Sequence, residues 1–203
     1  MIRNIIFDVG MVLVDWQPRD AFRQLGFDEE TVKAVAAATI ESEAWSENDR
    51  SLLSDEEIAA EFVRRAPEYE REIRLFWDNV GLPVRQFDYT KDWIRELKER
   101  GYGVYILSNY GRRTYSQTKD EALSFLSEVD GALFSFQVQQ VKPEPEIYQT
   151  LLDRYSLVPG ECVFFDDRPE NIEAAGRAGI HGVVFENQKQ AKEELERLCE
   201  EQG

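Results

Sequence analysis

Five short segments of the chain, 5–7, 104–107, 132–136, 163–165 and 183–185, carry apolar side chains on both faces. A strand with one wet face alternates apolar and polar residues. Strands apolar on both faces belong inside a parallel sheet covered by helices on either side. Helical periodicity fills 90–100, 145–155 and 170–178, just ahead of the second, fourth and fifth segments, with Gly101 placed as a helix stop. Strand, helix, strand alternation requires right-handed crossovers, so the pattern predicts an α/β protein with a doubly wound, five-stranded parallel sheet.

Roughly seventy residues with no strand signal separate the first strand from the helix at Thr90. A structureless connection of that length is not expected in a compact domain. Asp28 can cap a helix over 31–39, Ser54 and Glu57 form a capping-box pattern ahead of 58–65, and 67–79 is amphipathic. The chain therefore divides into a sheet domain, 1–15 and 84–203, and an inserted helical unit, 16–83. The Lys/Glu-rich tail after Gln188 reads as a solvated final helix.

Composition narrows the function. With 24 basic against 40 acidic residues the formal charge is −16, a field that repels nucleic acid and anionic lipid surfaces. No apolar stretch approaches membrane-spanning length, and the N-terminal apolar run is too short for a signal peptide. Only Cys162 and Cys199 are present, which is no disulfide framework and fits a reducing cytoplasm. His181 is the single histidine and reads as a strand opener, which excludes multi-histidine zinc sites and histidine-nucleophile phosphatases.

Ligands of open α/β sheets sit beyond the carboxyl ends of the strands. Asp8 ends the first strand, and Asp166 and Asp167 end the fourth. If these strands are neighbours, three carboxylates meet at one edge. They would raise one another's pKa unless a divalent cation kept them ionised, and hard oxygen donors without Cys or His select Mg²⁺. Ser108 and Asn109, after another strand, can donate hydrogen bonds to phosphate oxygens, and Lys142 can supply a compact positive charge.

Phe7-Asp8-Val9-Gly10, Leu107-Ser108-Asn109, Lys142-Pro143-Glu144-Pro145 and Phe165-Asp166-Asp167-Arg168-Pro169-Glu170-Asn171 together resemble, in order and spacing, the four motifs of the haloacid dehalogenase superfamily. The resemblance implies a Rossmann-like core with a helical cap, and a nucleophilic Asp8 that forms an aspartyl-phosphate from a small phosphorylated metabolite, assisted by Lys142. It implies Mg²⁺ on Asp8, the Gly10 carbonyl and Asp167. Asp166 would be a further ligand or would orient metal-bound water. Either a monomer or a homodimer is compatible with this reading.

Phosphatases of this superfamily carry a second Asp two residues after the nucleophile, as acid and base; here that position is Gly10, followed by Met11. An Asp-x-Gly motif resembles a bacterial subgroup that includes sugar-1-phosphate phosphatases, whose anomeric leaving group needs less protonation. Asp15 and Asp49 are the candidate replacement bases. The segment 45–50 resembles a cap loop lowered over the site, with Arg50, Trp16 and Arg112 as candidate substrate contacts. Two alternatives follow from the absent Asp: a metal-independent 2-haloacid dehalogenase, which the paired acids Asp166 and Asp167 disfavour, and a phospho-ligand-binding module. Cys162 and Arg168 satisfy a Cys-x5-Arg spacing, but the interval is an apolar strand rather than a phosphate loop.

Overall fold

A computed structural model describes residues 1–201. The chain opens with β1 (Asn4–Phe7), then β2 (Val14–Trp16), and enters five helices: α1 (Pro18–Gln24), α2 (Glu29–Ala38), α3 (Glu43–Arg50), α4 (Asp55–Arg65) and α5 (Glu70–Asp78). It returns through β3 (Val84–Gln86) to α6 (Thr90–Glu99), β4 (Gly103–Ser108), α7 (Arg112–Thr118), β5 (Gly131–Phe134) and a single turn, α8 (Ser135–Val138). It finishes with α9 (Pro145–Tyr155), β6 (Cys162–Asp166), α10 (Pro169–Arg177), β7 (His181–Val184) and α11 (Gln188–Glu201).

Five strands form one parallel sheet in the order β5-β4-β1-β6-β7. Its two apolar faces explain the sequence pattern. Ile5, Phe7, Val104, Ile106, Val163 and Phe165 pack on one side with Trp93, Ile94 and Leu97 of α6 and Leu195 of α11. Ile6, Leu107, Leu133 and Phe164 pack on the other against α9 and α10. Each such fully buried side chain contributes about 1.5–3 kcal/mol. The expected segment 132–136 stops early as a strand: from Ser135 the chain turns into α8.

Helix signals read from sequence act as caps. Asp28 accepts from the Thr31 N–H at 2.8 Å, and Ser54 and Glu57 exchange both capping-box bonds. Gly101 ends α6 at φ +88°, a conformation that disfavours residues with a Cβ. The inserted helices enclose their own aromatic core, in which Phe22 meets Phe76 edge to face at 4.5 Å and Trp45 packs on Phe62 and Phe76.

Two further features depart from expectation. The insertion is joined to the sheet by an antiparallel ribbon, Val14↔Gln86, Asp15↔Arg85 and Trp16↔Val84, too short to leave a periodic signal. The segment 45–50 is not a loop: Trp45 to Arg50 lie within α3, whose C-terminus is closed by Ser51 at φ +53°.

Candidate active site

β1 sits between β4 and β6, so the chain leaves it in one direction and later returns to the other side. That reversal opens a crevice beyond the carboxyl ends of the strands. Asp8 emerges there directly after β1, its N–H donating to the Phe165 carbonyl at 2.9 Å, and Asp166 ends the adjacent β6. Asp8, Asp166 and Asp167 each offer a carboxylate oxygen to a cluster whose atoms lie within 4.8 Å of one another.

Lys142 enters this cluster from the loop between α8 and α9. Its Nζ donates to Asp166 Oδ2 at 2.6 Å and stands 2.8 Å from Asp8 Oδ1, an ion pair with no aligned hydrogen bond to that oxygen. All three groups are nearly removed from solvent. Burial pushes the Asp8 carboxyl up, Lys142 opposes this, and the Asp166 charge adds to it. Burial alone would lower the Lys142 pKa, but Asp8 and Asp166 outweigh it and hold the ammonium charged. Burial, then Asp166, raises Asp167.

Asp166 is fully satisfied by protein. Besides Lys142 it accepts from the Arg168 N–H at 2.8 Å and from Asn171 Nδ2 at 2.9 and 3.0 Å. Asn171 is buried and is a site residue to which sequence reasoning gave no role; its place within the fourth motif was the available signal. The cluster fits a divalent cation. Three carboxylates face one ammonium, leaving two negative charges uncompensated, Asp8 Oδ1 has no aligned donor, and every donor atom is a hard oxygen.

The sequence-predicted phosphate contacts line one cavity and differ in their partners. Ser108 is buried and lines the cavity together with Asp8. Asn109 also lines the cavity, and its side-chain amide pairs with the backbone of Lys142 through Oδ1 and one of its two N–H groups, so it positions the lysine loop.

The remaining candidates divide according to α3 and the ribbon. Asp49 lines the same cavity as Asp8 and Gly10, and its backbone carbonyl accepts from Ser135 Oγ at 2.6 Å, which in turn accepts from the Tyr110 N–H at 2.8 Å. Burial, reinforced by the charge on Asp8, pushes the Asp49 carboxyl up to about 7.

Asp15 is different. On β2 its neighbours Val14 and Trp16 line the cavity while Asp15, on the opposite face, accepts from Gln17 at 3.1 Å. Arg50 does not reach the cavity either, because its guanidinium is held by both oxygens of Glu144. Arg112 is likewise occupied: its N–H and guanidinium donate to Ser51 Oγ and carbonyl at 3.2 and 3.3 Å. These two arginines clasp the insertion to the sheet domain. Trp16 remains a cavity residue, joined by Trp45. Cys162 is buried in β6 with its thiol pushed up to about 11, which rules out a thiolate nucleophile.

The model of the haloacid dehalogenase-like hydrolase family matches residues 2–179. The chain is 28% identical to D-ribitol-5-phosphate phosphatase of Bacteroides thetaiotaomicron, over 96% of this chain and 97% of that protein. It is 23% identical to flavin mononucleotide hydrolase 1 of Arabidopsis thaliana over 76% of this chain, and spans only 61% of that relative's length. A HAD family enzyme of Bacteroides thetaiotaomicron solved as its magnesium complex superimposes with a TM-score of 0.74 at 21% identity, covering 92% of this chain and 94% of that one. With the four motifs gathered at one sheet edge and a family match across most of its length, the chain belongs to the haloacid dehalogenase-like hydrolases.

Proposed function

We propose that the protein is a Mg²⁺-dependent phosphatase that hydrolyses a small phosphorylated metabolite through an aspartyl-phosphate on Asp8, with Asp49 as the acid and base. The observation that carries this reading is the cluster of buried Asp8 and Asp166 and half-buried Asp167 around Lys142 at the sheet's switch point. The name of the ribitol-phosphate relative supports the same reaction class. Mg²⁺ would be held by Asp8, the Gly10 carbonyl and Asp167, with Asp166 nearby to orient the set, and would neutralise charge on the transferring phosphoryl group.

Asp8 attacks phosphorus, the ester P–O bond breaks, and Asp49 delivers its proton to the departing alcohol oxygen. Water then attacks the acyl phosphate, Asp49 takes the water proton, and the carboxylate of Asp8 is restored. Lys142 stabilises the equatorial oxygens and keeps Asp8 ionised. Ser108 positions the Asp8 carboxylate, and the inserted helices act as the cap that brings Asp49 in. Two free cysteines, one of them buried, fit a cytoplasmic setting.

The test is Mg²⁺-dependent trapping of beryllofluoride, alongside phosphate release from a panel of phosphate monoesters. Both should occur in the wild type and vanish in Asp8→Asn. Chloride release from a 2-haloacid without Mg²⁺, with no phosphatase activity, would overturn the reading in favour of a dehalogenase.

A further inference from the structure

Asp49 is the penultimate residue of α3, and the last carbonyls of a helix find no partner within it. The turn at Ser51 satisfies two of them, its N–H donating to the Glu47 and Asn48 carbonyls at 2.9 and 3.0 Å. The Asp49 carbonyl is satisfied from outside the insertion. Ser135 Oγ, on the first residue of α8 and 86 positions away in the chain, donates to it at 2.6 Å.

Ser135 is itself fixed. It is fully buried, and its oxygen accepts from the Tyr110 N–H at 2.8 Å, which leaves the single hydroxyl proton for the Asp49 carbonyl. Tyr110 follows Ser108 and Asn109 at the end of β4, so one strand end holds both the Lys142 loop, through Asn109, and the Asp49 main chain, through Ser135. Contacts on either side of this bond keep α3 in register. The Asn48 side chain lies against Gly111, and Ser51 Oγ accepts from the Arg112 N–H at 3.2 Å. The bond is also exchangeable: the Tyr110 carbonyl lies 3.4 Å from Ser135 Oγ, so withdrawal of α3 would leave the hydroxyl with a second acceptor.

We infer that Ser135 is the positioning residue of the acid: its hydroxyl sets how deeply α3 seats Asp49 in the cavity, and so couples docking of the inserted helices to protonation of the leaving oxygen. The inference rests on the reading of Asp49 as acid and base and deepens it. Ser135 touches no reacting atom. Since the carbonyl and the carboxyl of Asp49 move together, loss of the bond shifts the proton donor, while Asp8, Lys142 and Asp166 stay in place on other elements. Proton delivery is sensitive to such a shift, because misplacing a group by about 1 Å can cost on the order of 10²-fold.

Acetyl, 2,2,2-trifluoroethyl and ethyl phosphate test it, with full-length enzyme and Mg²⁺. The three are close in size, and their leaving oxygens rise in basicity in that order, so they depend increasingly on a proton donor. Ser135→Ala should lower kcat/KM for ethyl phosphate by about 10- to 100-fold, and for acetyl phosphate by less than about threefold. Ser135→Cys, whose thiol is a weaker donor, should shift the ethyl-to-acetyl ratio the same way by a smaller factor. A ratio of two substrates read on one sample does not depend on the fraction folded. In the Asp49→Asn background the ratio is already depressed, and Ser135→Ala should change it no further.

If Ser135→Ala lowers all three substrates alike, leaves the ratio unchanged, or depresses it further in the Asp49→Asn background, Ser135 only holds the helix and the inference is overturned by itself. If Asp49→Asn keeps the wild-type ratio, Asp49 is not the acid, and the inference falls with that reading. If the wild type hydrolyses none of the three, the phosphatase reading falls and takes both with it.

Discussion

Asn109 and Lys142 exchange two hydrogen bonds: Asn109 Nδ2 donates to the Lys142 carbonyl at 2.9 Å, and the Lys142 N–H donates to Asn109 Oδ1 at 2.8 Å. The strand end that carries Ser108 thereby fixes the loop that delivers the ammonium, although the two lie 33 residues apart. Asn109→Ala should lower stability by about 1–3 kcal/mol, since two buried backbone groups lose their partners. Asn109→Asp can still accept from the N–H but faces the Lys142 carbonyl with an oxygen, and should be worse for turnover than for KM. Chemical denaturation and steady-state kinetics on the two variants check this.

In the proposed mechanism Asp49 needs its proton for phosphoryl transfer and lacks it for the attack of water. Since kcat/KM covers only the steps up to the phosphoenzyme, it should be flat at low pH with respect to this group. It should then fall as pH rises past a value at or below about 7, the lower position reflecting neutralisation of Asp8. Asp49→Asn should remove that limb and cost about 10²- to 10⁴-fold in rate on alkyl esters. A pH profile of each enzyme decides it; an unchanged profile in Asp49→Asn would remove Asp49 from the mechanism.

Gly10 stands two residues after Asp8, and a Cβ built there meets nothing within 4 Å. Gly10→Asp should therefore fold normally, and the double variant Gly10→Asp, Asp49→Asn should recover part of the lost turnover. Rescue read as phosphate release would show that the cap acid and the usual acid serve one function.

Gly111 is a different case. A Cβ there would lie 2.4–2.7 Å from the side chain of Asn48, which is buried on α3. Gly111→Ala should cost about 1–3 kcal/mol if the contact stays closed, or push α3 outward and lower kcat/KM if it does not. Thermal unfolding and kinetics distinguish these two expressions of one steric conflict.

Mg²⁺ should raise the melting temperature by occupying the carboxylate cluster, equivalent to about 2.7 kcal/mol at a hundredfold excess over Kd. Asp167→Asn should melt higher than the wild type without metal, because one repelling charge is gone, and should gain little when Mg²⁺ is added. Calorimetric scans with and without the ion read both effects.

Much of this architecture was legible because its causes are local. Buried parallel strands must be apolar on both faces, as 5–7 and 163–165 are, and helix starts such as Asp28 and Ser54 satisfy their own N–H groups. The three-residue ribbon strands are shorter than any period can reveal. The fates of Asn109, Arg50 and Arg112 were equally hidden, because each depends on partners brought in by tertiary folding, Lys142, Glu144 and Ser51.

Asp49 and Arg50 are consecutive at the end of α3, one facing the cavity and the other gripping Glu144, two residues beyond Lys142. In the proposed mechanism, a swing of that helix large enough to admit a substrate would withdraw Asp49 and release the tether in the same movement. Admission and turnover would then be mutually exclusive postures of a single lever. Bulk water entering such an open form would find no base beside the phosphoryl group, so wasteful side chemistry would be suppressed by mechanical interlock rather than by a separate gate.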